Sequence, residues 1–467
     1  MKNLFIGSFV DTPQLGKLRI VNDQALLVDE QGNIAGAIDV DEAVSLSDNP
    51  QIQTFRVPTG SFLIPTFCDL HLHAPQYLYL GTGLHLPLME WLNEYAFKAE
   101  EKIDDDPEGL GHRVYSSLAN RLIRSGTGAA LLFGTICEES NLVLAETFQS
   151  AGLRGFIGKL SMDKSSRPTY VEASSDASLS AAERFIHRCR DIVKALPANK
   201  QFVEPVLTPR FVPTCSDELL SGLGRLASKH GVKIQSHLAE ARDQVNWVKL
   251  ERGVDDIDVF DRSSLLTSRT VQAHCTFLDP SSLVVLHEKG TAIAHCPLSN
   301  VYFSSQPFRL REALDLGVNV GLGSDVAGGY TADIMNAMRQ AVIASRIRES
   351  YRSENEQEIQ RTQPLEGSSS QSTNQSTTLA VHWTEALYLA TKGGAEALGL
   401  SSGSFIPGAA FDAQQISLID NMSGKGIGQL DFFEPVTNIT EDLIEKWWCL
   451  GNEQNRTGVW VQGCKLL

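Results

Sequence analysis

Two histidines one residue apart, His71 and His73 in HLHAPQY (71–77), close an apolar run that starts at Phe62. In an extended strand alternate side chains share a face, so both imidazoles point the same way, as two ligands of one cation would. Four more segments end in residues of the same chemical kind. SHLAE carries His237 with Glu240 three residues on, AHCTFLD carries His274, AHCPLSN carries His295, and GLGSDVAGG carries Asp325. Imidazole and carboxylate together suit a zinc ion, and an open coordination position holding water marks a catalytic rather than a structural metal. A free glutamate beside such a site can carry protons.

These residues need elements that bring them to one place. After Pro65 short apolar segments alternate with amphipathic ones: FLIPTFCDLH, GAALLFGTI (128–136), RGFIGKL (154–160), FVEPVLTPRF (202–211), VKIQSHL (232–238), TVQAHC (270–275), TAIAHC (291–296) and VNVGLGSD (318–325). Between them lie helical stretches such as SDELLSGLGRLASKHG (216–231) and DPSSLVVLHEKG (279–290). Eight strands each followed by a helix predict an α/β fold, a (β/α)8 barrel, whose active site lies at the carboxyl ends of the strands. Five of the 11 histidines, His71, His73, His237, His274 and His295, fall at those ends. A lone strand-end histidine is usually a satisfied hydrogen-bonding residue, and that bland reading holds for His85, His112, His187, His230, His287 and His382 in helical or loop sequence. It fails for the strand-end set, where independent accidents would have to coincide on one rim. Asp325 alone would read as a turn or cap residue in a glycine-rich loop; its place after the last strand argues for chemistry.

Residues 1–62 and 401–467 contain short strand-like pieces, LRIV (18–21), ALLVDE (25–30), QQISLID (414–420) and VWVQG (459–463). They predict a small β-sandwich domain assembled from both chain ends, with the barrel over 63–400. A Ser/Gln/Thr-rich insert at 352–378 has little to bury and is expected to be a mobile surface loop.

The bulk composition excludes several function classes. A formal net charge of −16 repels phosphate backbones, which argues against nucleic-acid partners but not against a free base or nucleoside. Eight cysteines without a CxxC pair point to reduced thiols, neither a disulfide framework nor a zinc finger. No apolar run approaches the length of a membrane span and MKNLFIGSFVDTPQ is no signal peptide, so a cytoplasmic protein with no membrane partner is expected.

HxH after strand one, His after strands five and six, and Asp after strand eight resemble the amidohydrolase superfamily over residues 62 to 400. HAPQY, TPRF, SHLAE, AHCTFLD, AHCPLSN and GLGSDVAGG, in that order, are similar to the segments of its guanine deaminase family. Ser324, where that family suggests Thr, and the 352–378 insert are departures that touch no ligand. The resemblance implies one zinc ion per chain held by His71, His73, His237 and Asp325, activating a water that attacks C2 of guanine to give xanthine and ammonia. Glu240 would shuttle protons, Asp325 would orient the water and act as base, and His274 would stabilise the attacking oxygen. Gln76, Arg210 and Phe211 would hold the purine beside His237, Glu240, His274 and Asp325: Gln76 as donor and acceptor, Arg210 toward O6, Phe211 by stacking. His295 is expected to be structural, and the likeness suggests a homodimer.

Three rivals are weaker. Binuclear relatives bridge two metals through a carbamylated lysine after strand four, but that strand ends in TPRF, and Lys159 belongs to strand three with a surface or salt-bridge role. The deaminase fold that uses HxE and PCxxC zinc ligands is missing its PCxxC. A non-catalytic scaffold relative would have lost ligands that this chain keeps. Mononuclear relatives acting on cytosine, adenosine derivatives or triazines stay open, and Gln76 with Arg210 and Phe211 argues against them.

Overall fold

The computed structural model describes residues 1–362 and 378–467. Eight parallel strands follow one another in chain order: β1 Phe67–His73, β2 Thr127–Phe133, β3 Arg154–Ser161, β4 Val203–Pro209, β5 Lys233–Leu238, β6 Thr270–His274, β7 Ala292–His295 and β8 Val320–Leu322. The two edges of the sheet meet at the site end. The Asp325 N–H donates to the His71 carbonyl and the His73 N–H to the Val326 carbonyl, each at 2.8 Å, which draws the sheet into a barrel.

The strands are apolar on both faces because neither face meets water. Every residue of β2 is buried. Leu70, Leu131, Phe156, Val206, Val271, Ala273 and Ala294 form one cluster with Ala395 and Leu398, the latter two from in and after the short helix Gly394–Ala397. The outer faces pack against helices such as Asp217–His230. Ser216 caps its start by accepting from the Leu219 N–H, and Gly231 ends it at φ 63°, where only glycine is unstrained.

FLIPTFCDLH is two strands rather than one. Ser61–Pro65 pairs antiparallel with Ala413–Ser417 in a second sheet, and the chain crosses to the barrel between Pro65 and Phe67. That second sheet is mixed and eight-stranded, with Lys2–Gln14, Lys17–Val28, Ile34–Ile38 and Ile52–Arg56 from the start of the chain and Arg456–Val461 and Cys464–Lys465 from its end. Phe5 and Phe411 stack in its core at 4.1 Å, so residues four hundred positions apart fasten the two ends together.

The expected loop at 352–378 begins instead as helix: Ile334–Thr362 runs through its first eleven residues. RSENEQEIQRT is poor in apolar side chains, the cue for a loop, yet Glu, Gln and Arg are good helix formers. Residues 363–377 lie outside the described part. Among the described residues all eight cysteines are free, and no helix is long and apolar enough to cross a membrane.

Candidate active site

At the carboxyl end of the barrel a register shift in β1, between Asp69 and Leu72, lets Leu70 join the interior cluster while His71 and His73 both reach the mouth. The Asp69 carboxylate secures this corner from behind, accepting from the His71 and Ser324 N–H groups at 3.2 and 3.0 Å. Ala239 just past β5, His274 at the end of β6 and Asp325 past β8 have φ of 46°, 69° and 50°. Such backbone is strained for residues other than glycine and persists where surrounding structure enforces it.

Four side chains converge. His73 Nε2 lies 3.1 Å from His237 Nε2, and Asp325 Oδ1 lies 3.1 Å from His71 Nε2 and 3.8 Å from His73 Nε2. His237 donates its Nδ1–H to the Arg210 carbonyl at 2.6 Å, which leaves Nε2 with a lone pair aimed at the other three. The buried Nε2 of His71 has no hydrogen-bond partner. Burial, followed by the neighbouring imidazoles, holds His71, His73 and His237 well below the usual histidine range, so they are neutral as ligands must be. Three neutral imidazoles and a carboxylate with an orphaned nitrogen among them fit a zinc ion.

His274 and Glu240 stand beside this group. His274 donates Nδ1–H to Asn300 Oδ1 at 3.0 Å, leaving Nε2 directed at Glu240 Oε1 (3.6 Å) and Asp325 Oδ2 (3.9 Å). Burial, reinforced by the Asp325 charge, pushes the Glu240 carboxyl well above the usual range, which favours the protonated form that can donate a proton. Gly328 permits the close packing of the Asp325 loop: a Cβ there would sit 2.8 Å from Asp325 Oδ2.

A cavity opens over these groups, lined by His73, Gln76, Arg210, Phe211, His237, Glu240 and Asp325, with apolar walls from Leu88, Trp91, Leu92 and Phe303. Phe211 meets His237 edge to face with centroids 6.3 Å apart. Gln76 and Arg210, which the sequence assigns to the purine edge, also have a protein partner. Both are tied to Glu100, a residue whose role the sequence hid: Arg210 donates through Nη1 and Nη2 at 2.7 and 3.1 Å, and Gln76 through Nε2 at 2.8 Å. Gln76 Oε1 accepts from the Ala327 N–H at 3.2 Å. Glu100 lies in helix Phe97–Asp105 within the acidic run KAEEKIDDD, which reads as a solvated face. The available signal was its spacing: Phe97, Glu100 and Ile103 share the buried stripe.

His295 closes β7, but its ring packs 5.2 Å from Phe308 and joins none of the ligand-type clusters among the described residues. Lys159 is not at the surface. It is buried in β3 and donates to Glu172 and to the Leu160 carbonyl, both at 2.7 Å, the salt-bridge half of its expectation.

Comparison with known proteins agrees with this arrangement. The profile of the Amidohydrolase family matches residues 62–363. The guanine deaminase of Dictyostelium discoideum is 33% identical, covering 99% of this chain and 98% of its own, and that of Mus musculus is 33% identical over 98% and 95%. Among solved structures, guanine deaminase from C. acetobutylicum with guanine bound in the active site superimposes with a TM-score of 0.83 at 29% identity, covering both chains completely.

Proposed function

The chain belongs to the amidohydrolase family, matching guanine deaminases along its whole length, and on that premise we propose that it hydrolyses guanine to xanthine and ammonia using one zinc ion per chain. The observation that carries this is one cavity that brings a ligand-type cluster, the Glu240 carboxyl and the donor side chains of Gln76 and Arg210 together.

His71, His73, His237 and Asp325 would hold the zinc, which when bound would supply a water whose pKa is lowered toward neutrality. The residues of the chain handle orientation and protons. Asp325, within reach of both His71 and His274, takes the proton that water sheds as its oxygen bonds to C2. His274, fixed by Asn300, presents Nε2 to that oxygen and steadies the charge developing there. Glu240 gives its proton to N3 during attack, takes up the remaining water proton from the C2 hydroxyl and passes it to the 2-amino group. The C2–N bond then breaks, ammonia leaves, the water oxygen stays on the ring as the 2-oxo group, and the proton held by Asp325 restores Glu240.

Phe211 and His237 flank the base, while Arg210 and Gln76 face its 6-oxo edge. An amino group at C6, as in adenine, would set donor against donor and leave a buried hydrogen-bonding group unpaired at about 1–3 kcal/mol, more for a charged one. A homodimer, suggested by family likeness, and the cytoplasmic location expected from the sequence complete the proposal.

Ammonia release from guanine, adenine, cytosine and adenosine tests the reading. Guanine should be turned over, with adenine essentially ignored. Faster turnover of adenine, cytosine or adenosine would overturn it.

A further inference from the structure

Arg210 and Gln76 line the cavity, yet the group that decides how they face it is outside the cavity wall. Glu100 is fully buried, and its two oxygens accept from both residues at once: Oε2 from Arg210 Nη1, Oε1 from Arg210 Nη2 and from Gln76 Nε2. The Arg210 guanidinium also lies over the Phe97 ring at 4.8 Å, so it is held from two sides by the same helix.

Resting on the guanine reading above, we infer that Glu100 is a positioning residue that makes this wall of the cavity a donor surface and thereby selects a 6-oxo purine edge. A carboxylate accepts only and a backbone N–H donates only. With Glu100 on one side and the Ala327 N–H on the other, the Gln76 amide has a single satisfying orientation, nitrogen toward Glu100 and oxygen toward Ala327. Its amide keeps one N–H beyond the one Glu100 uses. Of the five guanidinium N–H groups of Arg210, Glu100 takes two, and three are left to donate. Without Glu100 the amide could turn over, presenting oxygen where it now presents nitrogen, and the arginine would lose the bidentate clamp that sets its plane. The acidic partner also offsets the Arg210 charge in a cavity whose other end is built to receive a cation.

The alternative is a staple that merely ties helix Phe97–Asp105 to the loop after β4. The two differ in what they do to ligands with and without a 6-oxo group. Hypoxanthine carries that group and purine lacks it; neither has the 2-amino group that would react. Calorimetric binding of each to zinc-loaded wild type should show hypoxanthine bound more tightly. In Glu100→Gln the hypoxanthine Kd should rise about 10–100-fold, the scale of a misplacement of roughly 1 Å at a positioning contact, while the purine Kd and the zinc content stay near wild type. Glu100→Asp keeps the charge but withdraws it by one methylene. It should show the same selective loss in smaller degree, and it serves if the glutamine variant does not fold. Equal weakening of both ligands, or an unchanged preference for hypoxanthine, would overturn the inference. Guanine turnover by the wild type is measured alongside: its absence would sink the functional reading, whereas turnover with an unchanged Kd ratio would sink the role of Glu100 alone.

Discussion

Replacing Arg210 by methionine keeps a long side chain over Phe97 and deletes the charge, which strands Glu100. The carboxyl is fully buried and retains a single partner, Gln76 Nε2 at 2.8 Å. Removing one member of a buried pair usually costs about 3–5 kcal/mol, because the other charge is left buried without its counter-ion, so Arg210→Met should be less stable than wild type by about that much. Urea unfolding of the zinc-loaded proteins measures it. In Arg210→Met/Glu100→Gln no buried charge is left, so the deficit should fall below that of the single variant. A deficit under about 1 kcal/mol in Arg210→Met, the scale of an exposed ion pair, or a double variant no more stable than the single one, would refute the buried-pair reasoning.

Glu240→Gln should retain zinc and guanine affinity and lose about 10²–10⁴ in kcat, since it removes a proton carrier and no ligand; near-normal kcat would remove Glu240 from the chemistry. His71→Ala should lose most of its zinc and its activity together, because Nε2 of His71 is the orphaned nitrogen in the cluster; elemental analysis showing full zinc would contradict the ligand assignment. Asn300→Leu should keep zinc but lower kcat about 10–100-fold, as the His274 Nδ1–H loses its acceptor at 3.0 Å and the ring loses its orientation; unchanged kinetics would show that His274 is held some other way.

The barrel was legible because short apolar runs and amphipathic helical stretches alternate in the sequence, and the ligand-type residues all sit where those runs stop. His71, His73, His237, His274, Glu240 and Asp325 share one cavity mouth for that reason. What was hidden depends on contacts between distant segments. Ser61–Pro65 and β1 read as one strand because both are apolar, and only pairing with Ala413–Ser417 separates them. Nothing in the sequence analysis singled out Glu100 within KAEEKIDDD, since its partner lies 110 residues away and burial cannot be read from a charge. Asn300 was visible within AHCPLSN, but its service to His274, 26 residues earlier, was not.

The central claim is that water displaces the 2-amino group of guanine in this cavity. Turnover of guanine in ¹⁸O-labelled water, with xanthine examined by mass spectrometry and ammonia quantified in the same sample, tests it most directly. Each xanthine formed should carry one ¹⁸O atom, with one ammonia released for each xanthine. Guanine recovered unchanged, or a product without the label, would contradict it.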